Sequence, residues 1–164
     1  MATATKRAGN GRPTSTATAE AAEVTAPHRA AEIEPSVRAS GIAYGLTGLM
    51  RALPVHASRG RVDLPAETLL RHGTSPEQVL AGQASKGLAE VLAEFRETAR
   101  VALKSARAHV TALPREARKV FLPLALVEPY LSALRKVDPL RQVAEINPLY
   151  RLWRLSTCRF PPSA

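Results

Sequence analysis

Three arginines and a histidine lie close together between residues 51 and 61. Arg51, Arg59 and Arg61 carry guanidinium groups, and His56 stands among them. Guanidinium makes paired, charge-assisted hydrogen bonds to phosphate oxygens, so the arginines could bind a diphosphate or an anionic lipid without a metal. The alternative is a solvated basic turn. Imidazole is the side chain best suited to act as an acid, a base or a metal ligand near neutral pH, which makes His56 a candidate for such a role.

The surroundings of His56 do not support a metal or catalytic site. Imidazole suits zinc or copper better than magnesium, and the positions one helical turn away are Ala52, Leu53, Arg59 and Gly60, none of which is a ligand. The other histidines are scattered, and no CxxC pair, phosphate-binding glycine loop or Ser/His/Asp arrangement with supporting context occurs. We therefore predict no catalytic residue, no resident metal and no cofactor.

Composition predicts an all-α protein. Aromatic residues make up only 4% of the chain, whereas alanine, leucine and arginine are plentiful, and strands depend on β-branched and aromatic residues. Residues 1–35 are rich in small residues without periodicity, which predicts a disordered segment. We expect a helical domain over residues 36–156 and a tail over residues 157–164. The basic start faintly resembles an organellar presequence, but its weak apolar face favours a disordered tail.

Hydrophobic periodicity predicts a long helix on each side of a polar turn. The first runs from about Pro35 to about Leu53 and is disturbed by Pro54. The second, from Ser85 to about Ala112, is the longest. The first helix has an apolar stripe of Ile42, Leu46, Leu49 and Leu53. The second carries Leu88, Val91, Leu92, Phe95, Ala99, Ala102, Leu103, Ala106 and Val110 on one side.

Shorter helices are expected between and after these two. One ends at Gly73, and the next begins at Ser75 with Pro76 in its first turn. A helix from Arg115 to about Lys136 must be kinked by its two prolines. The amphipathic piece over residues 140–154 is interrupted at Asn147-Pro148. Its leucines and aromatics would dock on the bundle or touch a membrane surface, and docking is the preferred interpretation.

The net charge of +9 points to anionic partners. Most of the excess follows residue 40, since residues 1–40 contain five basic and four acidic residues. Nucleic acid is disfavoured, because no basic run alternates with stacking aromatics. Cys158 is the only cysteine, so the fold needs no disulfide, and no apolar run approaches the ~20 residues that span a bilayer.

The order of these features resembles the second half of the squalene and phytoene synthases. The resemblance rests on an apolar helix, Leu-Met-Arg at 49–51, Ala-Ser-Arg-Gly-Arg at 57–61, Leu-Pro at 64–65, His-Gly at 72–73 and Ala-Leu-Pro-Arg-Glu-Ala-Arg at 112–118. It implies the C-terminal half of an all-α isoprenoid-synthase bundle. In that family two Asp-rich helices hold magnesium against prenyl diphosphates, which are then joined head to head.

The chain departs from the family where magnesium is bound. The family's second motif reads approximately Gln-Leu-Thr-Asn-Ile-Leu-Arg-Asp-x-x-x-Asp, and it aligns with residues 45–56. The expected glutamine is Gly45, the expected asparagine is Gly48, the first aspartate is Ala52 and the second is His56. These four positions share one helical face. A fifth departure places Asp63 where the family has a tyrosine before Leu-Pro.

Two functions follow from the resemblance. The first is a catalytically degenerate binding or assembly protein, since residues 49–56 match, apart from Met50, the Leu-Arg-Ala/Thr-x-Pro-x-His form of family members that assist complex I assembly. The alternative is a fragment of an active, Mg²⁺-dependent prenyl transferase that needs a separate N-terminal half. Ala52 and His56 favour the first.

The resemblance also sets expectations for partners and location. The family's first Asp-rich motif has no counterpart in residues 1–40, so a half-bundle should expose apolar helix faces to a protein partner or to a second copy. A prenyl diphosphate or an anionic lipid is the expected small ligand. We expect a cytoplasmic protein, with attachment to the inner membrane surface as the alternative, or a mitochondrial one if the source is eukaryotic.

Overall fold

A computed structural model of the chain describes the backbone of residues 15–158 and the side chains of residue 31 and residues 33–158. Every regular element in this part of the chain is a helix, as the composition predicts. The chain forms two compact units, residues 1–34 and residues 35–164. The disorder expected for residues 1–14 and most of the expected tail lie outside the described residues. No helix among the described residues is long and apolar enough to cross a membrane.

The first helix, α1 (Ser15–Ser58), is longer than predicted at both ends. The helix includes residues 15–34, of which 11 are alanine or glutamate, two strong helix formers. The disorder expected for the N-terminal segment stays a prediction. At the other end α1 continues through Pro54 to Ser58. Proline removes one backbone donor from a helix, but Pro54 lies inside α1 and its ring is buried.

The buried face of α1 is not the predicted stripe. Ile42 is 43% exposed, Leu46 and Leu49 are half-buried, and Leu53 alone of the four is buried. The buried positions are instead Ser36, Ala39, Ala43, Thr47, Met50, Leu53 and Pro54. Side-chain size explains the error, because small residues bring a helix close to its neighbours while the larger ones stand at the edge of the contact. The hydroxyl of Thr47 donates to the Ala43 carbonyl at 2.7 Å and is thereby satisfied.

Two short helices connect α1 to the long central helix. They are α2 (Ala66–Arg71) and α3 (Pro76–Leu80), and each buries one residue, Leu69 and Val79 respectively. Gly73 has a positive φ of 68° after α2, as its predicted place at a helix end requires. The predicted start of α3 is confirmed, because Ser75 and Gln78 form a reciprocal capping box.

The central helix, α4 (Lys86–Ala112), matches its prediction almost residue for residue. Ser85 is its N-cap, with the side-chain oxygen accepting from the Leu88 backbone N–H at 3.1 Å. Eight of the nine residues predicted on its apolar side are buried, and Ala102 is half-buried. The ninth buried residue of α4 is Gly87, which the periodicity did not reveal.

The segment after α4 is broken more finely than the predicted kinked helix. It consists of α5 (Arg115–Arg118), a 3₁₀ helix (Lys119–Leu126) and α6 (Val127–Ala133). Pro123 lies inside the 3₁₀ helix, where it interrupts the regular α-helical bonding. The last helix, α7 (Pro148–Thr157), begins at the predicted Asn147-Pro148 interruption, with Asn147 as N-cap. It contacts the 3₁₀ helix.

Candidate functional site

The four changed motif positions lie on one continuous stretch of α1. Gly45 is exposed, and Gly48, Ala52 and His56 are half-buried. A Cβ added to Gly45 or Gly48 would meet nothing within 4 Å, so neither glycine is needed for close packing. The motif face therefore lies away from the buried stripe of α1 and is open.

A magnesium ion does not fit this face. Mg²⁺ requires oxygen ligands in octahedral geometry, and the motif positions offer two hydrogens, one methyl group and one imidazole. The described residues contain no group of three or more His, Cys, Asp or Glu side chains that could hold a metal ion. The face thus lacks the oxygen ligands with which the squalene and phytoene synthases would hold magnesium against a diphosphate.

The side chains of His56 and Asp63, two of the residues that differ from the family motif, contact each other. Nδ1 of His56 lies against Oδ2 of Asp63, and each side chain is about one third exposed. Nδ1 of His56 is buried and makes no aligned hydrogen bond. The backbone N–H groups of Arg59 and Arg61 both donate to the His56 carbonyl, at 3.0 and 2.9 Å. With Gly60 at a φ of 73°, these bonds fold the following loop back onto the end of α1.

The loop arginines are exposed, as a basic turn requires. Arg61 donates to Oδ1 of Asp63 at 3.2 Å, so Asp63 lies between the imidazole of His56 and the guanidinium of Arg61. The side chain of Arg59 is exposed, and no contact of it is recorded among the described residues. We name His56, Arg59, Arg61 and Asp63 the loop cluster; its three nitrogen-bearing side chains against one carboxylate leave an excess of hydrogen-bond donors.

Arg51 is held elsewhere, by residues that sequence reasoning missed. Its guanidinium lies over the Tyr130 ring, 3.8 Å from the centroid, and its Nε donates to the Ala144 carbonyl at 3.1 Å. Arg51 thus connects α1 to α6 and to the segment before α7. No signal in the sequence pairs residues so far apart. The anion-binding role predicted for the three arginines stays a prediction, and the structure gives Arg51 a different set of partners from Arg59 and Arg61.

A second polar cluster was also missed. Nε2 of His72 is 2.8 Å from Oε2 of Glu94, Nδ1 is 3.3 Å from Oε2 of Glu90, and Arg71 donates to both oxygens of Glu94 at 2.7 and 2.9 Å. The Glu94 and Glu90 carboxylates raise the pKa of His72, and His72 lowers the pKa of Glu94. The only sequence signal was the pair of glutamates four residues apart on α4. We name Arg71, His72, Glu90 and Glu94 the ionic latch, because their contacts join the end of α2 to the outer side of α4.

Comparison with known proteins agrees with the helical architecture and the motif. A family model described as squalene/phytoene synthase matches residues 15–153. No solved structure matches the chain.

Several curated relatives share a name. The mouse protein named NADH dehydrogenase (ubiquinone) complex I, assembly factor 6 is 35% identical over 98 residues, which is 60% of this chain and 29% of the relative. The human protein of the same name is 32% identical over 123 residues, covering 70% of this chain and 37% of the relative. The Drosophila melanogaster homolog is 29% identical over 99 residues. The chain thus spans about a third of the length of these relatives.

Proposed function

We propose that this chain, which belongs to the squalene/phytoene synthase family, is a catalytically degenerate member that acts as an assembly factor for a complex of the respiratory complex I type. The observation that carries the proposal is the motif face: the scaffold of α1 is kept, but every metal-side group has been replaced by a side chain without an oxygen. The relatives named as complex I assembly factors support the same function.

The open side of α1 supplies a surface for a protein partner. Ile42, Tyr44 and Val55 are 43%, 54% and 37% exposed, and they accompany the small motif residues Gly45 and Gly48. Small side chains let another helix approach closely, and the larger apolar groups at the edges would bury area against it. The partner is a separate protein or a second copy of the chain.

The loop cluster supports a binding role for a prenyl diphosphate or an anionic lipid headgroup. The exposed guanidinium groups of Arg59 and Arg61 have donors to spare for phosphate oxygens. Binding at this cluster would rest on charge and hydrogen bonding and would need no metal ion. We propose a cytoplasmic location, or attachment to the inner membrane surface; a eukaryotic source would place the chain in mitochondria.

A transferase assay tests the loss of catalysis. The full chain is incubated with farnesyl or geranylgeranyl diphosphate and Mg²⁺, alone and mixed with any co-purifying partner. We expect no pyrophosphate release above the protein-free control. Release that a chelator abolishes would contradict the proposal and support the alternative, a fragment of an active prenyl transferase that uses Mg²⁺.

A genetic experiment tests the assembly role. The gene is deleted in its own host, and complex I content and NADH:quinone activity are measured after return of the wild type or of a variant. We expect the deletion to lower both, and Tyr44→Glu on the open side of α1 to fail to restore them. Val101→Glu is the matched control, because Val101 is 62% exposed on α4. Unchanged complex I after deletion would refute the role.

A further inference from the structure

Helix α7 packs on the bundle with its apolar face turned to solvent. Leu149, Leu152 and Trp153 share one side of the helix, and Tyr150 lies at its edge. Their exposed fractions are 75% for Leu149, 63% for Leu152, 56% for Trp153 and 42% for Tyr150, and no residue of α7 is buried. An amphipathic helix that docks on its own protein normally buries this face. The preferred docking interpretation is therefore wrong for the apolar face.

The opposite side of α7 holds the helix in place. The guanidinium of Arg154 donates to the Ala125 carbonyl in the 3₁₀ helix at 3.2 Å, and Leu155 and Cys158 are half-buried. Asn147 accepts from the backbone N–H groups of Leu149 and Tyr150, which fixes the first turn. The outward direction of the apolar face is thus set by contacts on the polar side.

The exposed face has the composition of a membrane-interface helix. Tryptophan and tyrosine favour the boundary between headgroups and acyl chains, since each ring is apolar with a polar group at one end. The two rings lie side by side, with centroids 5.7 Å apart. Arg151 is an exposed cation on α7 itself. Beside the helix, Lys136 and Arg154 line a groove of roughly 460 Å³ together with Tyr150 and two acidic residues, Glu128 and Glu145.

We propose that α7 is an interfacial membrane anchor, which lays Leu149, Leu152 and Trp153 into the surface of a bilayer that contains anionic lipid. Charge favours an anionic bilayer over a second copy of the chain at this face. A second copy brings net positive charge to α7, whereas an anionic surface brings charge of the opposite sign to a chain of +9. The anchor depends on neither the assembly role nor the loop cluster.

The single tryptophan of the chain is Trp153, so its fluorescence reports on this face alone. The full chain is titrated with phosphatidylcholine vesicles that contain or lack phosphatidylglycerol, at low and at high salt. We expect a blue shift and co-sedimentation with the anionic vesicles, weaker binding at high salt, and little binding to phosphatidylcholine alone. Far-UV circular dichroism verifies that the chain remains folded.

Two leucines of equal exposure provide a matched pair of variants. Leu152 is 63% exposed on α7, and Leu70 is 64% exposed on α2. We expect Leu152→Glu to weaken partitioning into the anionic vesicles by about tenfold or more, because it removes apolar area and adds a repelled charge. Leu70→Glu should leave partitioning close to that of the wild type.

Three outcomes would overturn the anchor. The first is the absence of both blue shift and co-sedimentation with any vesicle. The second is an equal loss of binding in Leu70→Glu and Leu152→Glu, which would place the contact elsewhere. The third is a blue shift that grows with protein concentration in the absence of lipid, which would assign the face to a second copy of the chain.

Discussion

Helices α4 and α7 are both amphipathic and both begin at a side-chain N-cap, yet they end in opposite surroundings. Helix α4 buries nine residues along its apolar side, and α7 buries none. The 3.6-residue pattern therefore sets the helix and the direction of its apolar face but not what covers that face. Helix α4 is covered by its own chain, whereas the apolar face of α7 remains exposed.

Truncating one leucine in each helix should show the difference between α4 and α7 most clearly. Leu103 on α4 is 3% exposed, so Leu103→Ala should lower the free energy of unfolding by about 3 kcal/mol through lost apolar contact and a residual cavity. Leu152→Ala on α7 should change it by less than about 0.5 kcal/mol. Urea unfolding followed by circular dichroism measures both. Equal losses would mean that α7 is as much part of the core as α4.

Gly87, near the start of α4, has less space around its Cα than the glycines on the motif face of α1. A Cβ at Gly87 would lie 2.1 Å from the carbonyl oxygen of His72, a backbone atom that cannot move aside cheaply. Gly87→Ala should therefore cost about 2 kcal/mol, although alanine is the better helix former. Gly48→Ala, with nothing within 4 Å of the new methyl, should gain up to about 1 kcal/mol. Thermal unfolding of the two variants measures the difference, and a stabilised Gly87→Ala would contradict the close approach.

Removal of an N-cap side chain should lower global stability at α4 but only local stability at α7. Ser85→Ala removes a cap from the helix that carries the core, so it should lower the global stability by about 1 kcal/mol. Asn147→Ala should instead open α7 locally, because no buried residue couples that helix to global unfolding. Hydrogen exchange resolved by residue distinguishes the two cases. Faster exchange confined to α7 in Asn147→Ala is the expected result, and uniformly faster exchange would refute it.

The ionic latch gives the outer side of α4 a dependence of stability on pH. The pKa of His72 is raised above 6.5, chiefly by Glu94, so its stabilisation is complete below 6.5 and is lost as pH rises through the folded value. The pKa of Glu94 is lowered from 4.5, chiefly by His72. Its contribution to stability is therefore complete above pH 4.5 and is lost as pH falls through the folded pKa.

The stability difference between wild type and His72→Gln should therefore be largest between pH 4.5 and pH 6.5 and should shrink on both sides. Urea unfolding at a series of pH values measures the difference. The effect is the smallest of the four, because the latch lies at the surface and is screened by salt. A difference that grows above pH 8 would contradict the sign.

The accuracy of the sequence predictions followed the size of the side chains. Helix α4 was predicted well because large residues such as Leu88 and Phe95 recur on one side and Ser85 marks the start. The buried face of α1 was missed because small residues such as Ala39, Ala43 and Thr47 form much of its contact. In the candidate site, the position of the four motif residues on one helix was predictable from spacing. The contacts of Arg51 with Tyr130 and Ala144 depend on tertiary packing that spacing does not encode.

The contact between His56 and Asp63 restricts the order in which the metal-binding residues of the synthase motif could be introduced. Changing His56 to aspartate alone would set two carboxylates against each other without an ion between them, which like-charge repulsion disfavours. Replacing Asp63 by tyrosine first would leave the imidazole without its carboxylate neighbour. The first change thus creates a repulsion, and the second removes the carboxylate beside the imidazole, before magnesium can compensate for either.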